Sequence, residues 1–103
     1  MDELDFRRAA DSAIEALKQH LIHAEEDGTF EVEEQGGVIY LVFEEPPAKF
    51  VVTPNAPIRQ IWISALSTSF KLDLVDGQFV LPKTGQSLIP LVDSLIQQQL
   101  ASA

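Results

Sequence analysis

The chain has 103 residues, of which 46% are apolar, and it contains no cysteine. This length and composition predict one globular domain, and the lack of cysteine excludes disulfides, thiolate metal sites and thiol catalysis. The formal net charge is −9, and residues 1–45 carry 13 of the 16 acidic residues. Such a charge argues against a nucleic-acid partner and favours a cation or a basic protein surface, with simple solubility as the plainer explanation.

Membrane insertion and secretion are not expected. No apolar run approaches the roughly 18 residues that a spanning helix needs. The first five residues, Met-Asp-Glu-Leu-Asp, lack the basic and apolar regions of a signal peptide. We therefore expect a cytoplasmic protein.

An amphipathic pattern predicts a first helix over about residues 2–24. Apolar residues recur at three- and four-residue steps from Phe6 to Ala24 and form one stripe. Three acidic residues within positions 2–5 lie in the first turn, where the helix dipole favours negative charge, so they need no functional explanation. The opposite face carries Arg8, Asp11, Glu15, Lys18 and Gln19.

A dense acidic segment follows this helix. Gly28 is a suitable stop residue, and a strand over about residues 29–34 places Glu31 and Glu33 on one face. Acidic residues at a helix C-terminus oppose its dipole, so local stability does not require them. A cation site and a charged edge strand that resists aggregation are both consistent with the pattern. The candidate ligands in this segment are His23, Glu25, Glu26, Asp27, Glu31 and Glu33.

Five more strands are predicted, separated by short turns. Gln35-Gly36-Gly37 is a tight hairpin turn, and Asp76-Gly77 is a strong type I′ turn signal. A proline pair at positions 46–47 is predicted to form a loop. The strands cover about residues 38–43, 49–53, 57–64, 70–75 and 78–81.

The fourth of these six strands carries the only tryptophan of the chain. Ile61 and Ile63 share one face with Arg59, and Trp62 shares the other with Gln60, because successive side chains point to opposite faces. The isoleucine face suits a core. Trp62 is then either half-buried by other parts of the chain or displayed to a partner.

A second amphipathic helix ends the chain at about Ala101. Ser87 is a suitable N-cap, and Pro90 is tolerated in the first turn. The order helix, six strands, helix predicts an α+β two-layer sandwich, with an antiparallel sheet covered on one face by both helices. The other face of the sheet is then open, which favours display of Trp62.

Several segments, taken in this order, resemble the frataxin family in its bacterial form. The resemblance covers nearly the whole chain. The strand Gln60-Ile61-Trp62-Ile63 is its most specific part. The supporting segments are Phe6…Ala10-Asp11, Gly36-Gly37-Val38, Pro57 to Ser64, Phe70-Lys71-Leu72-Asp73-Leu74 and Gly85-Gln86-Ser87-Leu88.

The resemblance implies a role in iron–sulfur cluster assembly, as an iron-binding protein that docks on the cysteine desulfurase and scaffold complex. It implies weak, carboxylate-bound Fe²⁺ or Fe³⁺, which other divalent cations could replace, and a monomer that could form oligomers with iron. Carried over by position, the metal candidates are Glu25, Asp27, Glu31, Glu33 and Glu44. The partner-binding candidates are Asp11 and Glu15 on the first helix and Gln60, Trp62 and Lys71 on the sheet.

The chain departs from the family pattern at two places. Lys18, Gln19, Ile22 and His23 stand near the helix end, where bacterial relatives tend to be acidic. The segment Ala65 to Ser69 lacks the glycine that many relatives have between the fourth and fifth strands.

The chemistry of the residues leaves three functions open. Carboxylate and imidazole suit ferrous iron, whereas only two histidines are present, and His20 is better explained as a packed, hydrogen-bonded residue. Neither a Gly-x-Ser-x-Gly nor a Gly-x-x-x-x-Gly-Lys motif occurs, and Asp73 suits a structural role, so no enzyme is expected. The candidates are an iron-binding regulator of cluster assembly, a protein-interaction module with incidental metal binding, and a weak ferroxidase or iron-storage protein.

Overall fold

A computed structural model describes residues 3–26, 28, 30–44 and 47–101. The candidate ligand Asp27 lies outside these residues. The elements in chain order are α1 (Glu3–Glu25), β1 (Glu31–Gln35), β2 (Val38–Glu44), β3 (Pro47–Asn55), a short 3₁₀ helix (Ala56–Ile58), β4 (Gln60–Ala65), β5 (Thr68–Val75), β6 (Gln78–Val80) and α2 (Leu88–Ala101).

The six strands form one antiparallel sheet in the order β1-β2-β3-β4-β5-β6. This meander follows from short connections, because consecutive strands joined by tight turns pair with each other. Both helices contribute buried apolar residues to one shared core. The predicted two-layer α+β sandwich is confirmed.

The core lies between the helices and one face of the sheet. In β2, every second residue from Ile39 to Phe43 is buried, and in β4 Ile61 and Ile63 are at most 1% exposed. This period of two is what a strand with one covered face requires. The α1 stripe that is buried against this face consists of Phe6, Ala10, Ile14, Leu17 and Leu21.

Aromatic contacts fill both ends of the core. The Phe43 ring lies 4.8 Å from that of Phe50 and 5.5 Å from that of Phe30. Phe6 meets Phe79 edge-on, with ring centroids 5.8 Å apart. Such pairs contribute about 0.5–1.5 kcal/mol beyond the area they bury, and the Phe6–Phe79 pair helps to fix α1 over the sheet.

The strand predicted to begin at Pro57 is shorter than the sequence suggested. Residues 56–58 form the 3₁₀ helix instead, and Arg59 adopts a left-handed conformation with φ of 57°. Its guanidinium also hydrogen-bonds the carbonyl oxygen of Ala56. The prediction that Arg59 shares a strand face with Ile61 is therefore wrong, because the chain turns sharply before β4 begins.

Most other element bounds differ from the predictions by one or two residues. Pro47, predicted as loop, is the first residue of β3, where it pairs with Glu44 at the end of the ladder.

The turn between β4 and β5 has an unusual backbone conformation. Leu66 and Ser67 take φ of 53° and 60°, so the hairpin uses two positive-φ residues without glycine.

The two helices are joined by a polar contact as well as by the core. His20 Nε2 lies 2.8 Å from Asp93 Oδ1, and the two side chains are 40% and 45% exposed. The predicted hydrogen bond of His20 is confirmed, although the ring lies at the surface of the helix pair. Within the described residues, no helix combines the length and the apolar character needed to cross a bilayer.

Candidate metal-binding and partner-docking surfaces

The acidic residues of the first half gather at the β1 side of the sheet. We call Glu25, Glu26, Glu31, Glu33 and Glu44 the acidic ridge. The register pairs Glu31 with Val42, which makes Glu44 its diagonal neighbour across β1 and β2. Glu31, Glu33 and Glu44 are exposed and lie on the sheet face opposite the helices. We call that face the open face. Because these three residues lie on it, the acidic ridge and the open face meet at the β1 edge of the sheet.

Glu25 differs from the other members of the acidic ridge because its carboxylate has a structural partner. The Gly36-Gly37 turn closes the β1–β2 hairpin, which directs the Val32 amide away from β2 and toward the sheet edge. Glu25 Oε2 accepts a hydrogen bond from that amide at 2.7 Å. The end of α1 is thereby attached to β1, and an otherwise unpaired edge donor is satisfied.

A second contact joins α1 to β1 through residues that the sequence did not single out as a pair. Lys18 Nζ lies 3.1 Å from Glu34 Oε1. The hydrogen bond and charge of Glu34, with the charge of Glu15 added, raise the pKa of Lys18 above its usual value. Lys18 therefore reduces the negative charge on the helix side of β1, whereas Glu31 and Glu33 point to the open face.

The acidic ridge does not form a closed metal cage. Within residues 3–26, 28, 30–44 and 47–101, no three histidine, aspartate or glutamate side chains converge as metal ligands would. Glu31 and Glu33 project from one strand face about 7 Å apart, at a rise of ~3.4 Å per residue. Carboxylates at this spacing suit hydrated divalent cations, which keep several of their waters.

The other candidate residues belong to α1 or to the turn that follows it, not to the strands. His23, Glu26, Asp11 and Glu15 are all exposed on α1 or just after it. Glu15 accepts a hydrogen bond from Gln19 at 3.1 Å, one turn along the same helix. Asp11, Glu15 and Glu26 extend the negative surface along α1.

Trp62 lies on the open face and is held there by neighbouring side chains. Its indole N–H donates to Gln60 Oε1 at 2.8 Å, and Gln60 Nε2 donates to Asp73 Oδ1 at 2.8 Å. All three residues are half-buried. The network follows from the strand pattern, since Gln60 and Trp62 are two residues apart on one face and Gln60 pairs with Asp73 across the sheet.

A lysine completes the surroundings of the indole. Lys71 pairs with Trp62 in the register, and its Nζ lies 4.9 Å from the ring centroid. The two-residue turn at 66–67 makes this a pair without mutual backbone hydrogen bonds, in which opposing side chains come closest. The candidates Gln60, Trp62 and Lys71 are thus brought together, and Asp73 joins them.

A similar arrangement on β2 and β3 was missed by the sequence reasoning. Lys49 Nζ lies 4.6 Å from the centroid of the Tyr40 ring. The two residues are diagonal neighbours on the open face, because Tyr40 pairs with Val51 and Lys49 with Val42. Only the strand register could have revealed the contact, since the residues lie in different strands.

The chain is similar to known proteins in sequence and in fold. A family model described as a frataxin-like domain matches residues 1–102. The iron-sulfur cluster assembly protein CyaY of Vibrio atlanticus (strain LGP32) is 29% identical over 92 residues, which make up 89% of this chain and 86% of that protein.

Solved structures with the same architecture include a frataxin from Psychromonas ingrahamii, with a TM-score of 0.76 at 21% identity, covering 96% of this chain and 91% of that one. A trimeric frataxin from the yeast Saccharomyces cerevisiae, complexed with ferrous iron, gives 0.74 at 24% identity, covering 90% and 86%. Another yeast frataxin structure gives 0.75 at 22% identity, covering 96% and 83%. At these identities the likeness establishes the fold.

Proposed function

The chain belongs to the frataxin-like family, and we propose that it acts in iron–sulfur cluster assembly as an iron-binding regulator. In this role it docks on the complex of cysteine desulfurase and scaffold protein. The observation that carries the proposal is the ordered group around Trp62 on the open face, together with the carboxylates of Glu31, Glu33 and Glu44 on the same face of the sheet. A relative 29% identical to the chain is named an iron-sulfur cluster assembly protein.

Iron is proposed to bind at the acidic ridge as a hydrated cation. Glu31, Glu33 and Glu44 supply carboxylate oxygens, which hard cations prefer. Their exposure and spacing favour weak binding of Fe²⁺ or Fe³⁺, with other divalent cations able to compete. Glu25 contributes mainly charge, because one of its oxygens already accepts the Val32 amide.

Docking is proposed to use the open face. A half-buried tryptophan fixed by hydrogen bonds suits a binding anchor, because little side-chain entropy remains to be lost when a partner covers it. The acidic ridge then attracts a basic partner surface and sets the orientation of approach. We propose that the protein is a cytoplasmic monomer of one domain, which regulates the cluster-assembly complex and does not itself catalyse a reaction step.

An amide NMR titration tests this function. Metal-free protein is titrated with the cysteine desulfurase of the same organism, and separately with Fe²⁺ under anaerobic conditions. We expect the desulfurase to broaden Glu31, Glu33 and the Trp62 region together, and Fe²⁺ to affect the acidic ridge alone. A Glu31→Gln/Glu33→Gln variant should lose the response to Fe²⁺, while Asp76→Asn, which removes an acid from the remote β5–β6 turn, should keep it. Unchanged spectra with both additions would contradict the proposal.

A protein-interaction module with incidental metal binding is the second candidate. The lack of three converging ligands among the described residues favours it. Both candidates predict salt-sensitive desulfurase binding by metal-free protein. In the second, the cluster-assembly rate would be the same with and without bound Fe²⁺.

A further inference from the structure

One edge of the sheet is left incomplete by its last strand. β5 has eight residues, whereas β6 has three and pairs only with Asp73, Leu74 and Val75. The ladder stops where Pro82 would stand opposite Lys71, and proline has no N–H to donate to a neighbouring strand. The chain then turns back, with Leu81 N–H donating to Gln86 at 2.8 Å and Gly85 N–H to Leu81 at 2.7 Å.

The direction of the free backbone groups follows from the two hairpins. The turn at 66–67 makes Ala65 and Thr68 a hydrogen-bonded pair, so Thr68, Phe70 and Leu72 direct their backbone groups to β4. Ser69 and Lys71 alternate with them and direct N–H and C=O outward. Asp73 and Val75 continue this alternation, and their groups are the ones that β6 takes up.

Ser69 and Lys71 are exposed, and no hydrogen bond from the described part of the chain reaches their outward groups. These two N–H and two C=O groups have the spacing that a further β-strand would pair with. At the β1 edge, by comparison, one of the outward donors, the Val32 amide, is already taken up by Glu25.

The side chains along this edge indicate what could fill it. Lys71 is the only charged residue between Thr68 and Leu72, and Lys83 lies in the loop that leaves β6. Phe70 is only half-buried on the helix side. A strand laid beside β5 would therefore meet a positive charge on the open face and an apolar ring on the other.

We propose that the β5 edge at Ser69–Lys71 accepts an extended, acidic segment of a partner protein as an added strand. The backbone groups of the segment pair with those of Ser69 and Lys71. An acidic side chain faces Lys71 beside Trp62, and an apolar side chain covers Phe70. This mode of recognition needs neither iron nor the acidic ridge, so it stands or fails separately from metal binding.

A defined peptide tests the proposal. The probe is a capped hexapeptide of alternating valine and glutamate, added at millimolar concentration to the full chain and followed by amide NMR and hydrogen exchange. We expect the amides of Ser69 and Lys71 to shift and to exchange about tenfold more slowly, while Phe70 and Leu72, already paired with β4, change little. The same peptide with all of its backbone amides N-methylated should not bind.

Three outcomes would overturn the proposal. The first is no change at Ser69 and Lys71 with millimolar peptide. The second is equal binding of a valine–lysine peptide, which would remove the acidic preference. The third is protection of the same amides by raising the protein concentration without peptide, which would identify a second copy of the chain as the occupant.

Two variants tie the response to the edge itself. Ser69→Pro removes an outward N–H without removing a bond to β4 and should weaken peptide binding about tenfold, whereas Ser69→Ala keeps the N–H and should bind normally. Pro82→Val restores a donor beside Lys71 and lets β6 continue. It should slow hydrogen exchange at the Lys71 amide and at the new amide of position 82 in the free protein, and it should weaken peptide binding to a similar degree. Normal binding by both Ser69→Pro and Pro82→Val would contradict the assignment.

Discussion

The open face and the acidic ridge share one sheet but are organised in different ways. On the open face, Trp62 is held by hydrogen bonds through Gln60 to Asp73 and by the Lys71 ammonium over its ring. On the acidic ridge, Glu31 and Glu33 are exposed carboxylates on an edge strand. A surface with fixed side chains recognises shape, whereas a surface of spread charge attracts ions and oppositely charged proteins.

The cause of the difference is the position of the strands. β4 lies inside the sheet, so Trp62 and Gln60 have cross-strand neighbours on both sides. β1 is an edge strand with neighbours on one side only. Charged residues suit such an edge because they prevent it from pairing with other chains. The charges that are proposed to bind iron at the acidic ridge therefore also keep β1 from pairing with other chains.

The largest expected effect is on the open face. Trp62→Ala should weaken binding to the desulfurase and scaffold complex by about 30-fold or more, the range of an aromatic anchor at a partner surface. Trp62→Phe keeps a ring under Lys71 but loses the N–H to Gln60, and it should give a smaller loss. Fluorescence-detected or calorimetric titration measures both. A loss of less than about twofold for Trp62→Ala would show that the open face is not the docking surface.

The next effect concerns the turn that sets the register of the open face. Replacing Leu66 by Asn and Ser67 by Gly should raise the free energy of unfolding by about 1–2 kcal/mol, because both positions have positive φ and the new pair suits a type I′ turn. Urea denaturation measures the gain. Partner binding should not change, since three residue pairs of the β4–β5 ladder separate the turn from Trp62. A destabilised double variant would mean that the Leu66 side chain contributes more by packing than its backbone costs.

Much of the fold could be predicted because local signals agreed with the tertiary structure. Gly36-Gly37 and Asp76-Gly77 marked two hairpins, and both pairs have positive φ in the structure. The fourth strand was predicted to begin too early in the chain, at Pro57, because the alternation of apolar residues continues through the 3₁₀ helix. The turn at Leu66 and Ser67 gave no signal, since neither residue favours positive φ.

The candidate surfaces were predictable in part for a similar reason. The period of two placed Gln60 and Trp62 on the open face without any knowledge of the register, whereas Lys71 was a candidate through the resemblance to the frataxin family. Asp73 as the partner of Gln60 needed the pairing of β4 with β5. The contact of Glu25 with the Val32 amide could not be predicted from the sequence either, because it depends on where the end of α1 lies relative to β1 in the fold.

A smaller effect separates structural from functional acids at the β1 edge. Glu25→Ala should lower the free energy of unfolding by about 1 kcal/mol, because the Val32 amide loses its acceptor. Glu26→Ala is the matched control, since this neighbouring residue is exposed, and it should change stability by less than about 0.5 kcal/mol. The measurement is the urea midpoint at constant m-value. Equal midpoints for the two variants would remove the structural role of Glu25.

The smallest effect is a pH dependence carried by Lys18. Its pKa in the folded protein is raised above the usual 10.5 by Glu34. The stabilisation is therefore fully present below pH 10.5 and is lost as the pH rises through the folded pKa, because the unfolded chain releases the proton first. Thermal melts from pH 8 to pH 12 should show this alkaline loss in the unmodified protein and a weaker one in Glu34→Gln. Parallel profiles would show that the ion pair makes no contribution.

The most direct test of the difference between the two surfaces is the salt dependence of desulfurase binding without metal. We expect Glu31→Gln/Glu33→Gln to flatten the dependence of affinity on salt while keeping most of the affinity at high salt. We expect Trp62→Ala to lower affinity at every salt concentration and to leave the slope unchanged. If both variants changed the slope equally, or if Trp62→Ala acted only at low salt, the proposed separation of shape and charge would be wrong.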